Sequence, residues 1–265
     1  MKKLSILSAT LLTLGILNSA KSQDLLHKFS FGLNVGVGIP GSNFGKADSS
    51  ALPLSRGTKS GDTTKVNGFA KTGFHFDVTA TYMFSAHVGA MLSLGGTMNS
   101  YDVITFNTLV AAEYGSGSGG QVPIFTSGSY FVGQYLIGPY IALPLGSDKL
   151  QLELKGLVGL VYAAYPTLTG SLSGGGYSYS RTITMKGGSG FGYRVGVGVK
   201  YMVAPIIGLH FGVGYTGSNV TYSSATQSQS ETYAGSTTSS TYTDPVSKTM
   251  SLSLIQVTVG VSVDL

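Results

Sequence analysis

The chain has 265 residues, of which 39 are glycine and none is cysteine, with 16 Lys and Arg against 11 Asp and Glu. The missing cysteines exclude disulfides and thiolate metal centres, and a charged fraction of 10%, against roughly 25% in soluble domains, is too small for an ordinary solvated surface. The formal charge of +5 falls to +2 without Lys2, Lys3 and Lys21 of the leader described next (13 basic minus 11 acidic residues), so nucleic-acid binding has no electrostatic support.

Residues 1–22 read as a secretory signal peptide: Lys2 and Lys3, an apolar stretch over 4–17, then Ala20-Lys21-Ser22 ahead of Gln23. No cysteine follows the apolar stretch, so a lipoprotein anchor is not expected. The remaining 23–265 contain no apolar run of the roughly 18 residues a spanning helix needs, although the mean hydropathy is +0.24. A β-barrel is then the one membrane-spanning option, because it satisfies every backbone group in lipid without helices.

Alternation with a period of two begins at residues 29–39, where Phe29, Phe31, Leu33, Val35, Val37 and Ile39 oppose Ser30, Gly32, Asn34, Gly36 and Gly38. The pattern returns at 73–84 (Phe74, Phe76, Val78 opposite His75, Asp77, Thr79), at 88–95 and, less cleanly, at 130–143 with Gln134 and Gly138 inward. It continues at 150–162 (Leu152, Leu154, Val158 opposite Gln151, Glu153, Lys155), 190–202 (Val195, Val197, Val199 opposite Arg194, Gly196, Lys200) and 207–216 (Leu209, Phe211, Val213 opposite His210, Gly212). The eighth segment, 255–265, is IQVTVGVSVDL. Long connections at about 40–72, 96–129, 163–189 and 217–250 alternate with short ones at 85–87, 144–149 and 203–206. The fold class expected is all-β, an eight-stranded antiparallel up-and-down transmembrane β-barrel with both termini periplasmic and four extracellular loops. Phe29, Phe84 and Tyr201 on the turn side and Phe74, Phe131, Tyr162, Phe191 and Tyr215 on the loop side would form its interfacial belts.

Parity alone would also allow a soluble barrel with its apolar face inside, and volume separates the two. An eight-stranded interior is just wide enough for side chains to fill. The aromatic and aliphatic residues of all eight segments would overfill it, whereas inward glycines leave room for a few long polar groups.

The final stretch, with Thr258, Gly260, Val263 and Leu265 at their spacing, resembles the C-terminal assembly signal of gram-negative outer-membrane barrels, Leu265 standing where an aromatic is usual. Over the whole of 23–265 the chain resembles the small outer-membrane barrels of the OmpA-transmembrane-domain and OmpX type. That resemblance implies outer-membrane lipid, lipopolysaccharide and the barrel assembly machinery as partners. Some small barrels are lipid A-modifying enzymes that use a His with Ser and a carboxylate near the outer rim. His75 with Asp77 on the same face is the pair here that fits the description; a polar lumen residue is the plainer account of His75.

Two Gly-x-Gly-x-x-Gly runs, at Gly36 and Gly212, open no helix within a βαβ unit and so lack the phosphate-binding mechanism. His27, His75, His87 and His210 have no metal-ligand spacing. No metal, cofactor or catalytic residue is expected. Asp62-Thr63-Thr64 resembles a short O-glycosylation triplet, and the polar, tyrosine-bearing loops, among them the 115–120 GSGSGG tract, fit a solvated cover and a contact surface equally.

Inward charges balance: Asp77, Glu153 and Asp264 against Lys155, Arg194 and Lys200, with His75 and His210 nearby. Such balance suits a buried network. Counting down from the loop end with Tyr162 beside Phe191 places Glu153 opposite Lys200, and Arg194 level with Asp77 across the barrel. The function expected is a non-enzymatic outer-membrane protein with a filled lumen that displays its loops for surface contact, adhesion or envelope integrity. The alternatives are a subunit of a larger outer-membrane complex with an unidentified protein partner, a lipid A-modifying enzyme, and a narrow pore.

Overall fold

A computed structural model describes residues 28–48, 64–114, 122–147, 149–244 and 247–265. The expected leader, Asp62-Thr63 of the glycosylation-like triplet and the 115–120 tract lie outside the described residues. In chain order the elements are β1 (Phe29–Gly41), the short helix α1 (Ser42–Gly45), β2 (Thr64–Lys65), β3 (Gly73–Met83), β4 (Val88–Ser100), the helix α2 (Val103–Tyr114), β5 (Ile124–Ser127), β6 (Ser129–Ser147) and β7 (Leu150–Ala164). They continue with β8 (Leu168–Gly174), β9 (Tyr177–Met185), β10 (Gly188–Ala204), β11 (Ile207–Tyr222), β12 (Ala225–Tyr233), β13 (Ser236–Asp244) and β14 (Lys248–Asp264).

Eight strands form an antiparallel ring in the order β1-β3-β4-β6-β7-β10-β11-β14, and β14 pairs back onto β1. Paired residues can be followed once around it from Phe31 through Ala80, Leu92, Ile137, Val158, Tyr193, Gly217 and Ser253 to Gly41, ten residues above the start (41 − 31). A stagger of this kind tilts the strands about 35–45° from the ring axis.

The strands run further toward the loop end than strict alternation suggests: β4 by five residues (100 − 95), β11 by six (222 − 216) and β14 by seven (255 − 248). On β11 and β14 the cause is a swap of chemistry at constant parity, whereas β4 carries on with Thr97 and Asn99 inside and Met98 outside. On β14, Ile255, Val259, Val261 and Val263 are exposed outside while Gln256, Ser262 and Asp264 are buried inside. Above Ile255 the buried inner residues become Leu254, Leu252 and Met250, with Ser251 and Thr249 on the outer side. On β11 the same happens above Tyr215, where Val220 and Tyr222 are buried inside and Asn219 and Thr221 are exposed. β11 and β14 thus cross an apolar-skinned lower zone with a polar interior and an upper zone built the other way round. Of the belt aromatics, Phe29, Phe84, Tyr201, Phe74, Tyr162, Phe191 and Tyr215 stand exposed on the outer surface of the lower zone, whereas Phe131 is half-buried.

The upper interior holds the main hydrophobic core. Phe69 stacks on Tyr101 at 5.5 Å, Tyr130 meets Tyr165 edge-on at 5.1 Å, and Tyr165 meets Tyr222 at 5.8 Å, geometries that aromatic quadrupoles favour. The chain reaches this core by two straps that lie together. Gly68 N donates to Asn43 O at 2.7 Å and Ala70 N to Phe44 O at 3.0 Å; a Cβ on Gly68 would strike the Phe44 backbone, so the close approach requires glycine. The Tyr130 hydroxyl then donates to Gly68 O at 2.7 Å.

All four expected loops contain regular structure. α2 is capped by Asp102, whose carboxylate accepts from Thr105 N at 3.3 Å and Thr105 Oγ1 at 2.9 Å. Above the ring stands a second sheet, ordered β13-β12-β9-β8-β5. Its base is fixed to the core by buried Phe125, Leu168, Ile183, Met185 and Ala225. The Ser/Thr tract of the last long connection is therefore a hairpin, β12–β13, whose hydroxyls pair across strands, as in Ser228 with Thr241 at 3.2 Å and Thr232 with Thr237 at 2.9 Å. Threonine favours strands, and such pairs add to the ladder.

Candidate functional site

The lower interior gathers the inward polar residues into three sets. At the top, Arg194 donates from Nη1 to Asp77 Oδ2 at 2.8 Å and to Ser93 Oγ at 3.1 Å, from Nε to Thr216 Oγ1 at 3.2 Å, and from Nη2 to Gln134 Oε1 in a short bond. Asp77 also accepts from Asn34 Nδ2 at 2.6 Å, and its Oδ2 lies 3.4 Å from His75 Nε2. The other His75 nitrogen sits 2.9 Å from Thr97 Oγ1. Gln256 donates to Gln134 Oε1 at 3.2 Å and joins this layer to the last strand. Arg194 and Asp77 are 2% and 1% exposed, and a buried ion pair is tolerated only where hydrogen bonds complete it as they do here.

In the middle set, Glu153 accepts a short hydrogen bond from the Tyr140 hydroxyl, and its other oxygen lies 2.9 Å from His210 Nδ1. At the bottom, Lys200 Nζ donates to both oxygens of Asp264, at 2.8 and 2.7 Å. The expected Glu153–Lys200 pair is not formed. Phe191 is paired with Leu160 rather than Tyr162, so β7 is offset by two residues from the anticipated register; Glu153 stands opposite Gly198 and Lys200 opposite Gln151. Arg194 and Asp77 do meet, and Lys200 instead takes the carboxylate of the last strand.

Lys155 lies between the upper and middle sets and interacts electrostatically with both Asp77 and Glu153. With Tyr140, Glu153 and His210 it lines a cavity of about 30 Å³, room for roughly one water. Inward glycines make the space these long groups occupy. A Cβ on Gly196 would stand 2.9 Å from Lys155 Cε, one on Gly208 2.5 Å from Lys200 Cε, and one on Gly260 would overlap Asn34 Oδ1.

Of the terminal residues singled out for assembly, Thr258 donates to Gly212 O at 3.4 Å, Val263 and Leu265 are exposed on the outer surface, and Leu265 and Phe29 exchange backbone hydrogen bonds at 2.7 and 3.0 Å. Gly260 faces inward against Asn34, a packing reason for a glycine that the terminal pattern does not reveal. Sequence reasoning put Asn34 and Gln134 on the inward face without assigning them to the network, whose neutral half also takes in Ser93, Tyr140, Thr216 and Gln256. Tyr140 shares the parity of Gln134 and Gly138, so continuing that alternation would have found it. Among the described residues no group of three or more His, Asp or Glu is arranged to hold a metal ion.

No family model and no curated protein sequence matches this chain. Solved structures similar to it include Neisserial surface protein A (13% identity over 89% of this chain and 97% of the other, TM-score 0.41) and Ail, the attachment invasion locus protein of Yersinia pestis (12%, 90% and 99%, TM-score 0.42). A major outer membrane protein from Thermus thermophilus is similar at 13% identity, with 90% of this chain and all of the other covered, TM-score 0.43. These are likenesses in outline at very low identity, and the function proposed below rests on this chain's own residues.

Proposed function

We propose that the chain is a non-enzymatic integral outer-membrane protein: a transmembrane eight-stranded up-and-down barrel with a side-chain-filled lumen that holds its upper core and second sheet outside the cell as a contact surface. One observation carries the reading. The lower zone exposes Leu33, Val78, Ile137, Val158, Val197, Phe211 and Val259 around the ring while burying Arg194, Asp77, Glu153 and Lys200 inside it, the reverse of a water-soluble protein and the arrangement a lipid surround demands. Outer-membrane lipid and lipopolysaccharide would meet that belt, and the barrel assembly machinery would insert it. His75 and Asp77 are buried beneath the aromatic core, which gives a lipid substrate no route to them and disfavours the lipid A-modifying alternative; the filled lumen disfavours a pore.

Two measurements test this. The purified protein should migrate differently on gels before and after boiling, and an epitope inserted at Ser236, in the β12–β13 hairpin, should be reached by antibody on intact cells while one at Ser147 is not. Labelling of Ser147 alone would invert the topology, and recovery of the protein in the soluble fraction would defeat the proposal.

A further inference from the structure

The distal half of the second sheet keeps two chemistries apart. On one face the paired rows are Thr169, Thr182, Ser228 and Thr241, then Ser171, Ser180, Ser230 and Ser239, then Ser173, Ser178, Thr232 and Thr237. Across β8, β9, β12 and β13 every one is a short hydroxyl residue; on the edge strand β5 the second row ends in Ile124, 69% exposed. The other face of the same strands carries Tyr179 beside Glu231, Tyr177 beside Tyr233, and Arg181 beside Gln229. Both faces meet solvent at this height, Tyr233 being 67% exposed. Solvation therefore asks for the same residues on both, and it does not explain why the rings, amides and charges share one side.

The three tyrosines are neighbours on the pleat, with Cβ atoms of directly paired residues about 4.5–5.5 Å apart and diagonal ones about 7–8 Å. Each offers a flat apolar ring with a polar tip. Around them stand planar groups that donate or accept in pairs: the Glu231 carboxylate, the Gln229 amide and the Arg181 guanidinium. Arg181 Nη2 is held by Gln227 Oε1 at 2.5 Å, while its buried Nε has no hydrogen-bond partner among the described residues. A pyranose has the matching surface, a C–H face that lies on an aromatic ring and equatorial hydroxyls that both donate and accept. One acid and one base leave the face without net charge.

The geometry points to a binding site for a neutral oligosaccharide on this face, centred on Tyr177, Tyr179, Tyr233 and Glu231. It rests on the proposed function to the extent that the second sheet must face outward. A protein partner fits less well, because Leu172, half-buried beside Tyr179, is the one aliphatic residue among the paired positions named on this face, whereas the buried centre of a protein interface is more apolar than the surface around it.

The test is an array of defined neutral and acidic oligosaccharides probed with the full-length protein in lipid nanodiscs. Wild type should be retained on neutral sugars; Tyr177→Ala with Tyr233→Ala should weaken retention at least about tenfold, and Glu231→Gln should weaken it as well. Ser180→Ala with Ser228→Ala, on the hydroxyl face, should change nothing, and heat-modifiable migration of all variants checks their folding. Absence of retention, retention confined to acidic sugars, or equal loss from both faces overturns the site. If the Ser236 epitope remains accessible on cells when no sugar is retained, the carbohydrate inference fails and the surface reading stands; if the epitope is inaccessible, the surface reading itself has failed.

Discussion

Arg194 on β10 and Asp77 on β3, 117 positions apart in the chain, meet at 2.8 Å across the interior of the ring. Because Arg194 also bonds Ser93, Gln134 and Thr216, one guanidinium ties together β3, β4, β6 and β11. Long-range pairing of strands sets the ring's order, and this brace fixes its cross-section.

Removing one partner of that brace should be costly. Asp77→Leu leaves a buried guanidinium uncompensated and should lower unfolding stability in detergent by about 3–5 kcal/mol, whereas Asp77→Leu with Arg194→Leu should cost less than the single change. Urea titrations of wild type, Asp77→Leu, Arg194→Leu and the double variant settle it; a double variant as unstable as the sum of the singles would show that the pair is not coupled.

The corrected partners give a second check. A mutant cycle on Lys200 and Asp264 should return a coupling of about 1 kcal/mol or more, and a cycle on Glu153 and Lys200 should be additive within about 0.5 kcal/mol. The reverse ranking would restore the discarded register.

The swap of chemistry along β11 and β14 predicts where charge is tolerated. Val197→Arg, on the outer face of the lower zone, should cost about 2–4 kcal/mol and assemble poorly, while Val197→Leu assembles normally. Asn219→Arg, also outward but above the swap, should change stability by no more than about 0.5 kcal/mol. Equal assembly yields for Val197→Arg and Asn219→Arg would mean that the belt does not end at Tyr215.

Alkali should loosen the upper core. Burial pushes the Tyr165 phenol up to about 12 from its ordinary value of 10.0, so the fold favours the neutral form. Its stabilising contribution is complete below pH 10 and is lost as pH rises through about 12, a loss of roughly 2–3 kcal/mol. Phenolate absorbance should show a late-titrating tyrosine that disappears in Tyr165→Phe. An unchanged late phase in that variant would assign it elsewhere.

The number of wall strands, their order and the inward charges were legible because residues such as Phe31, Asp77 and Val197 obey one rule, apolar out and polar in. The rule itself hid the upper zone. Leu254 and Ile255 are adjacent apolar residues on opposite faces, and Val220 and Tyr222 point inward, so a reading that equates apolar with outward must stop at each swap. α2 was missed for a related reason: its sequence, VITFNTLVAAEY, shows no clear polar face of helical period. The Glu153 partner was lost because register between two neighbouring strands depends on a loop that carries no count of its own, and a slip of two preserves every inward and outward assignment.

The pairing of β1 with β14, from Ser30 against Asp264 to Gly41 against Ser253, has a consequence for biogenesis. One edge of the first strand has no partner until the last one has been made, although its other edge can already pair with β3. Contacts that close more than two hundred residues of intervening chain are slow to form, and throughout that wait β1 offers an unpaired edge to any other strand nearby. The β1–β14 seam is therefore the pairing on which completion of the ring waits, and it cannot form before β14 has been made.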